Sequence, residues 1–299
     1  MQLHKPVLLK DVIENLEINP EGIYVDLTLG YAGHSSEILK KLSSKGKLIG
    51  FDQDSFAIEK SRQRLSQISD NFVLINDNFV NFKVYLDKMN ISFVDGFLLD
   101  LGVSSVQLDF AHRGFSYSKL GPLDMRMNLD QPLKADDIVN GYDQESLCKI
   151  FIENADVKLA KQVAKGIVNN RPIKDTLELV EVIRSSLPAA LVRKKNPAKA
   201  VFQAIRIAVN DELIVLKKFL AQSLDFLKKD SKMLIITFHS IEDRIVKDFF
   251  KRQVKNKHDR RLPIMEQKDY QVKTIKPTEE EIAQNRRAKS SKLRIIKKL

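Results

Sequence analysis

Four apolar stretches in the first hundred residues each end in a group of polar residues that includes a carboxylate. Asp26-Leu27-Thr28-Leu29-Gly30-Tyr31-Ala32-Gly33-His34 closes the first, and its glycines let backbone approach a ligand and open a helix N-terminus. Asp52 closes the second, roughly 20 residues after Gly30, where a carboxylate accepts the hydroxyls of a ribose. Asn76-Asp77-Asn78-Phe79 closes the third, with polar groups for an adenine edge and an aromatic face for its ring, and Asp100 closes the fourth. The first turn holds only two of the three glycines of the dinucleotide fingerprint, which alone is a weak signal. A dinucleotide needs glycine at the third position so that the helix start stays open to its pyrophosphate. S-adenosyl-L-methionine has no phosphate but carries a sulfonium and an amino group, for which Asp26, Asp52, Asp77 and Asp100 are favourable company. The residues favour the methyl donor and leave a dinucleotide as the alternative; any one carboxylate alone reads equally well as a helix cap.

Those ends need a parallel sheet to bring them together. Residues 23–27, 47–51, 72–75 and 94–99 read as strands, separated by helical patterns over 35–42, 55–68 and 80–89 with Ser55 as an N-cap, which is four βα units in order. Residues 102–131 have no long period and are loaded with Gly, Pro, Ser and Asp, as in a long functional loop or a domain crossing. Short helices follow to about 191, with Asp143 and Asp175 opening two of them. Then come one long helix over 198–229, a fifth strand over 233–238, a helix over 241–253 and a last strand over 292–296. The expected architecture is an α/β, Rossmann-like sheet with an inserted helical domain: 1–107 and 198–299 form the sheet domain and 108–197 the insertion that recognises substrate.

The 299 residues carry 50 Lys and Arg against 39 Asp and Glu, a net charge of +11. From 251 to 299 there are 16 Lys and Arg against six Asp and Glu, so the C-terminal end carries nearly all of the excess. A polyanion is its natural partner; a solvated basic tail is the plainer reading. No stretch approaches the roughly 18 apolar residues of a membrane span, and the start lacks a signal peptide's apolar block, so a soluble, cytoplasmic protein is expected. The one cysteine, Cys148, has no neighbouring metal-ligand pattern and is expected to be a small apolar filler, with no metal site.

Several stretches match one family in order along essentially the full length. They are His4-Lys5-Pro6-Val7-Leu8-Leu9, Gly33-His34-Ser35, Leu99-Asp100-Leu101-Gly102-Val103-Ser104-Ser105 with Gln107-Leu108-Asp109, and Arg113-Gly114-Phe115-Ser116. Further along come Gly121-Pro122-Leu123-Asp124-Met125-Arg126-Met127, Phe202-Gln203-Ala204-Ile205-Arg206-Ile207 with Asn210-Asp211-Glu212-Leu213, Phe238-His239-Ser240-Ile241-Glu242-Asp243-Arg244, and Ala288-Lys289-Ser290-Ser291-Lys292-Leu293-Arg294. The chain resembles the RsmH family, formerly MraW, of bacterial ribosomal RNA small subunit methyltransferases. The resemblance implies N4-methylation of one cytidine in the decoding centre of 16S rRNA, with the small ribosomal subunit as substrate. It implies cofactor contacts from Ala32, Gly33, His34, Asp52, Phe79, Asp100 and Gln107. The family usually has glycine where this chain has Ala32, a change harmless at negative φ and strained in a left-handed conformation, and an acid where it has Ala208.

For the chemistry, Asp100 and the carbonyls of 101–103 are expected to accept hydrogen bonds from the N4 amine, whose lone pair is otherwise delocalised into the ring. The flipped cytosine stacks on Phe115 or Tyr117. Arg113, Arg126 and Arg206 are candidates for phosphate, or internal ion-pair partners, with Asp124 orienting Arg126. His239 faces the cleft and touches RNA or bonds its own turn; His4 packs the N-terminal segment on the sheet. The competing functions are a methyltransferase for another nucleic-acid site and a non-catalytic RNA-binding assembly factor.

Overall fold

The computed structural model describes residues 6–194, 196–254 and 269–299, the side chains of Ser105, Val106 and Lys194 apart. In chain order the elements are α1 (Leu9–Leu16), β1 (Ile23–Asp26), α2 (Gly33–Leu39), β2 (Lys47–Asp52), α3 (Ser55–Leu65), β3 (Phe72–Asn76), α4 (Phe82–Lys88) and β4 (Val94–Asp100). Next come α5 (Ser105–Asp109), α6 (Gln144–Ala155), α7 (Ala160–Asn169), α8 (Thr176–Ser185), α9 (Ala189–Lys194), α10 (Ala198–Val209) and α11 (Glu212–Ser223). The chain closes with β5 (Leu227–Thr237), α12 (Ser240–Gln253), β6 (Tyr270–Ile275), α13 (Glu279–Gln284) and β7 (Lys292–Lys298). They fall into two compact units, Met1–Gly102 with Val215–Leu299, and Val103–Ile214.

The first unit holds a seven-stranded sheet in the order β3-β2-β1-β4-β5-β7-β6. β1 to β5 are parallel, and β7 runs antiparallel between β5 and β6. Side chains alternate across it: Val25, Ile49, Phe51, Phe97 and Leu99 pack on one face, Tyr24, Leu48 and Leu98 on the other. Burial on both faces is why the parallel strands read as almost unbroken apolar runs. Strand order reverses between β1 and β4, so their carboxyl ends diverge around a crevice, the usual ligand position in such sheets. The fold is the doubly wound, Rossmann-like α/β architecture.

The helical unit runs from Val103 to Ile214, longer at both ends than the expected 108–197. Its core joins α6, α7, α8 and α10 through Leu147, Phe151, Val163, Ile167, Ile183, Val201 and Phe202, so α10 belongs here and not to the sheet. Cys148 is partly buried against this core. The expected single helix over 198–229 is two helices broken at Asn210-Asp211, where Asp211 takes a left-handed φ of 50°, and β5 begins at Leu227. Asn210 accepts from the Met127 amide at 2.8 Å and donates to the Met125 carbonyl at 2.8 Å, so its side chain serves the 121–131 loop. β6 was not expected; four of its six side chains are exposed, which hides the alternation of a strand. The N-cap of α3 is Asp54, which accepts from the Phe56 amide, in place of Ser55. Asp143 and Asp175 do cap α6 and α8. His4 and residues 255–268 of the basic end lie outside the described residues.

Candidate active site

At the end of β1, Asp26 is 2% exposed; it accepts from the Ser35 hydroxyl at 2.7 Å and the Thr28 amide at 3.2 Å, which ties the turn to the first residues of α2. Ala32 lies inside that turn at φ 54°, the left-handed region, and its amide donates to the Leu29 carbonyl at 2.8 Å. Gly33 and His34 start α2, where first-turn amides have no partner within the helix. Gly33 is required by close approach, because a Cβ there would stand 2.4 Å from Pro6 Cγ. Val7 of the same N-terminal stretch accepts from His34 Nε2 at 3.0 Å. The Pro6-Val7 segment is thereby held against the turn.

Asp52, at the end of β2, accepts from the Gly30 amide at 2.8 Å and the Asp54 amide at 2.9 Å, so one carboxylate joins the β1 turn to the start of α3. Next to it, Asn76 donates to the Asp52 carbonyl and Asn78 to Gln53 Oε1. Asp77 turns inward on its own loop, accepting from Asn78, Asn81 and Tyr85. Phe79 is 9% exposed and edge-on to Phe219, so most of its ring belongs to the core.

Asp100 ends β4. Its amide donates to Thr28 Oγ1 at 2.5 Å, its Oδ2 lies 3.8 Å from His34 Nδ1, and its Oδ1 is buried with no hydrogen-bond partner. Burial holds His34 down at about 4, so the ring is neutral at pH 7. A carbonyl can only accept, so Nε2 carries the hydrogen toward Val7 and Nδ1 presents its lone pair toward Asp100. Burial, with the charges of Asp26 and Glu242, pushes Asp100 up to about 8. Burial likewise raises Asp26 to about 6 and Asp52 to about 7, against the hydrogen bonds they accept. Three carboxylates thus crowd the strand ends with no Lys or Arg paired to them among the described residues, and one buried oxygen is left open. That is a site short of positive charge, and a sulfonium with an α-ammonium fits it.

His239 caps α12: its Nδ1 accepts from the Glu242 amide, and Glu242 accepts from the amides of Phe238 and His239. His239 thus bonds its own turn through Nδ1, while its Nε2, 3.0 Å from Glu242 Oε2, is buried without a hydrogen-bond partner. The next residue, Asp243, is pushed up by burial, but hydrogen bonds from Arg294 and Lys292 outweigh this and hold it at about 2. That explains the motif near the end of the chain as a tie between α12 and β7.

In the helical unit the expected substrate residues turn inward. Arg113 is 6% exposed and donates to the Arg126 and Met127 carbonyls. Arg126 grips both Asp124 oxygens and the Leu129 and Gln131 carbonyls. Arg206 forms a bidentate pair with Glu212. Arg113 and Arg126 thus brace the 124–131 loop and Arg206 ties α10 to α11, which is the internal-partner arrangement of the two expected for them. Phe115 is 5% exposed in the helical core beneath the Arg113 guanidinium, so it presents no face to a flipped base. Tyr117 is half-buried and edge-on to Phe202. Gln107 is 6% exposed, its Oε1 accepting from the Ser104 amide. Ala208 is partly buried against the same core, and nothing in the structure explains its departure from the family.

Sequence reasoning missed Thr28, which positions Asp100, and Glu242, which adds negative charge to it. The His239-to-Glu242 spacing is that of a capping box and would have drawn attention to Glu242.

A doubly wound sheet whose strand ends gather uncompensated carboxylates is that of an S-adenosylmethionine-dependent methyltransferase. The chain belongs to the MraW methylase family, whose model matches residues 1–299. It is 55% identical over 296 residues to the ribosomal RNA small subunit methyltransferase H of Mycoplasmopsis agalactiae, covering 99% of this chain and 98% of the relative. The protein of the same name from Metamycoplasma arthritidis is 58% identical over 287 residues, 95% and 99% of the two chains. No helix among the described residues is long and apolar enough to cross a membrane, and no cluster of three or more His, Cys, Asp or Glu is arranged to hold a metal.

Proposed function

We propose that the chain methylates the exocyclic N4 of a cytidine in the decoding centre of 16S rRNA within the small ribosomal subunit, in the cytoplasm. The observation that carries the chemistry is the open Oδ1 of Asp100 at the end of β4. An exocyclic amine brings two N–H donors, and the Asp100 carboxylate, ionised once a cationic cofactor is bound, would with the Leu101 carbonyl draw the nitrogen toward a tetrahedral geometry in which its lone pair can attack. Full-length identity to proteins named for ribosomal RNA supports the substrate class. When bound, S-adenosylmethionine supplies the electrophilic methyl group. Gly33 and His34 would present the start of α2 to it, Asp52 would face its ribose, and Phe79 would line its adenine end. Thr28 holds the Asp100 backbone, and Oδ1, buried without a hydrogen-bond partner, is the oxygen left to meet the amine.

Mass spectrometry of nucleosides from 16S rRNA tests this reading. Cells lacking the gene are expected to lose one N4-methylcytidine, restored by the wild-type gene and not by Asp100→Ala. An unchanged mark in the deletion strain overturns the substrate. Full methylation by Asp100→Ala with unchanged cofactor affinity overturns the role of Asp100.

A further inference from the structure

The helical unit is almost electrically balanced, with 16 Lys and Arg against 14 Asp and Glu over residues 103–214. The charges are not mixed along it. Residues 157–210 hold 11 Lys and Arg against three acids, Asp175, Glu178 and Glu181, all within α8 or its cap. Two of these are engaged in the backbone: Asp175 caps α8, and Glu178 accepts from the Lys174 amide. No acid occurs from 157 to 174 or from 182 to 210.

The fold joins these two acid-free runs. α7 and α8 approach so closely that a Cβ on Gly166 would stand 1.7 Å from Ser186 Oγ. The contact has Lys165 as its neighbour on one helix and Arg184 on the other. Lys161 and Lys165 lie one turn apart on one face of α7, and Lys161, Lys165, Arg184 and Arg193 are all exposed. None of the four takes part in an ion pair among the described residues, whereas Arg126 and Arg206 of the same unit each grip a carboxylate. Cations left unpaired on a rigid helical platform, with like charges close by, raise the energy of the free protein. A polyanion relieves that repulsion and releases its own counterions.

We infer that the joined parts of α7 and α8 form a docking face for the phosphate backbone of structured RNA, carried by Lys161, Lys165 and Arg184. The face rests on the rRNA reading above and gives that reading a second contact, separate from the basic end of the chain. It reads backbone and not bases, so it contributes affinity and register without sequence preference.

The test compares the full-length wild type with the triple variant Lys161→Gln, Lys165→Gln, Arg184→Gln. A control triple variant, Lys41→Gln, Lys60→Gln, Lys83→Gln, makes the same change in net charge at exposed sites of the sheet unit. Binding to purified small ribosomal subunits is measured between about 50 and 200 mM salt. The helical triple is expected to bind at least tenfold more weakly at about 100 mM, with the slope of log K against log salt shallower by about 2 to 3. Its cofactor affinity and melting temperature should match the wild type, and the control should stay within about twofold of wild-type binding. Equal losses from both triples, an unchanged slope, or crosslinks from position 165 or 184 to a ribosomal protein in place of RNA overturn the docking face. Salt-sensitive binding that needs the face but leads to no methylation overturns the rRNA reading alone. Absence of any salt-sensitive affinity in the wild type overturns both.

Discussion

Ala32 sits at φ 54° with no exposed surface, and three energies of similar size meet there. A left-handed alanine costs roughly 1–2 kcal/mol. Its buried methyl returns about 0.8 kcal/mol, and alanine loses less entropy than glycine on folding, by about 0.4–1 kcal/mol. The sum lies near zero, which is how this chain tolerates a residue where its family usually has glycine. Ala32→Gly should therefore shift the melting temperature by no more than about 3 °C, with cofactor affinity unchanged in calorimetry. Ala32→Val adds a β-branched group in a left-handed, fully enclosed position, and should cost more than about 3 kcal/mol. A Gly variant that melts far above the wild type would show that backbone strain dominates the turn.

At the level of elements, the break between α10 and α11 has a single residue at its centre. Asn210, 5% exposed, satisfies the Met127 amide and the Met125 carbonyl and also donates to the Arg206 carbonyl. Asn210→Ala strands two buried backbone groups, and by their desolvation should destabilise the helical unit by about 2–4 kcal/mol. Asn210→Asp keeps the acceptor for Met127 and loses the donor, so chemical denaturation should place it between wild type and alanine. The same residue shows where the sequence becomes hard to read. Apolar periodicity runs on through 198–229, and the partners that turn Asn210 into a break lie far back along the chain. The parallel strands were legible because a sheet covered on both faces writes continuous apolar runs, and their carboxylate ends were legible with them. β6 was not, because an exposed edge strand has no such pattern. Asp124 was readable as the partner of Arg126 from two residues away, whereas the carbonyls that hold Arg113, and the left-handed φ of Ala32, exist only once the loops have folded.

Across the whole molecule, the clustered carboxylates make ligand binding and stability depend on pH in a fixed direction. Asp26, Asp52 and Asp100 titrate near 6, 7 and 8 in the free protein, above the ordinary carboxylate value of 3.8. Between about pH 4 and 8 the folded state therefore binds more protons than the unfolded chain, and stability of the free protein falls as pH rises through that window. Asp243 acts oppositely and elsewhere: held at about 2, it contributes stability above 3.8 that is lost as pH falls toward 2. A cationic ligand favours the ionised carboxylates, so its binding at neutral pH must expel protons and restore the stability lost at high pH. Calorimetry of S-adenosylmethionine binding in buffers of different ionisation enthalpy should show net proton release near pH 7, and affinity rising from pH 6 to 8. S-adenosylhomocysteine keeps the α-amino group but lacks the sulfonium charge, so its affinity should rise less steeply over the same range. Asp100→Asn removes the group that titrates highest; it should melt above the wild type at pH 8 without ligand and release fewer protons on binding. Equal pH profiles for the two ligands would mean that the carboxylates do not face the sulfonium, and would move the methyl-transfer end of the site away from β4.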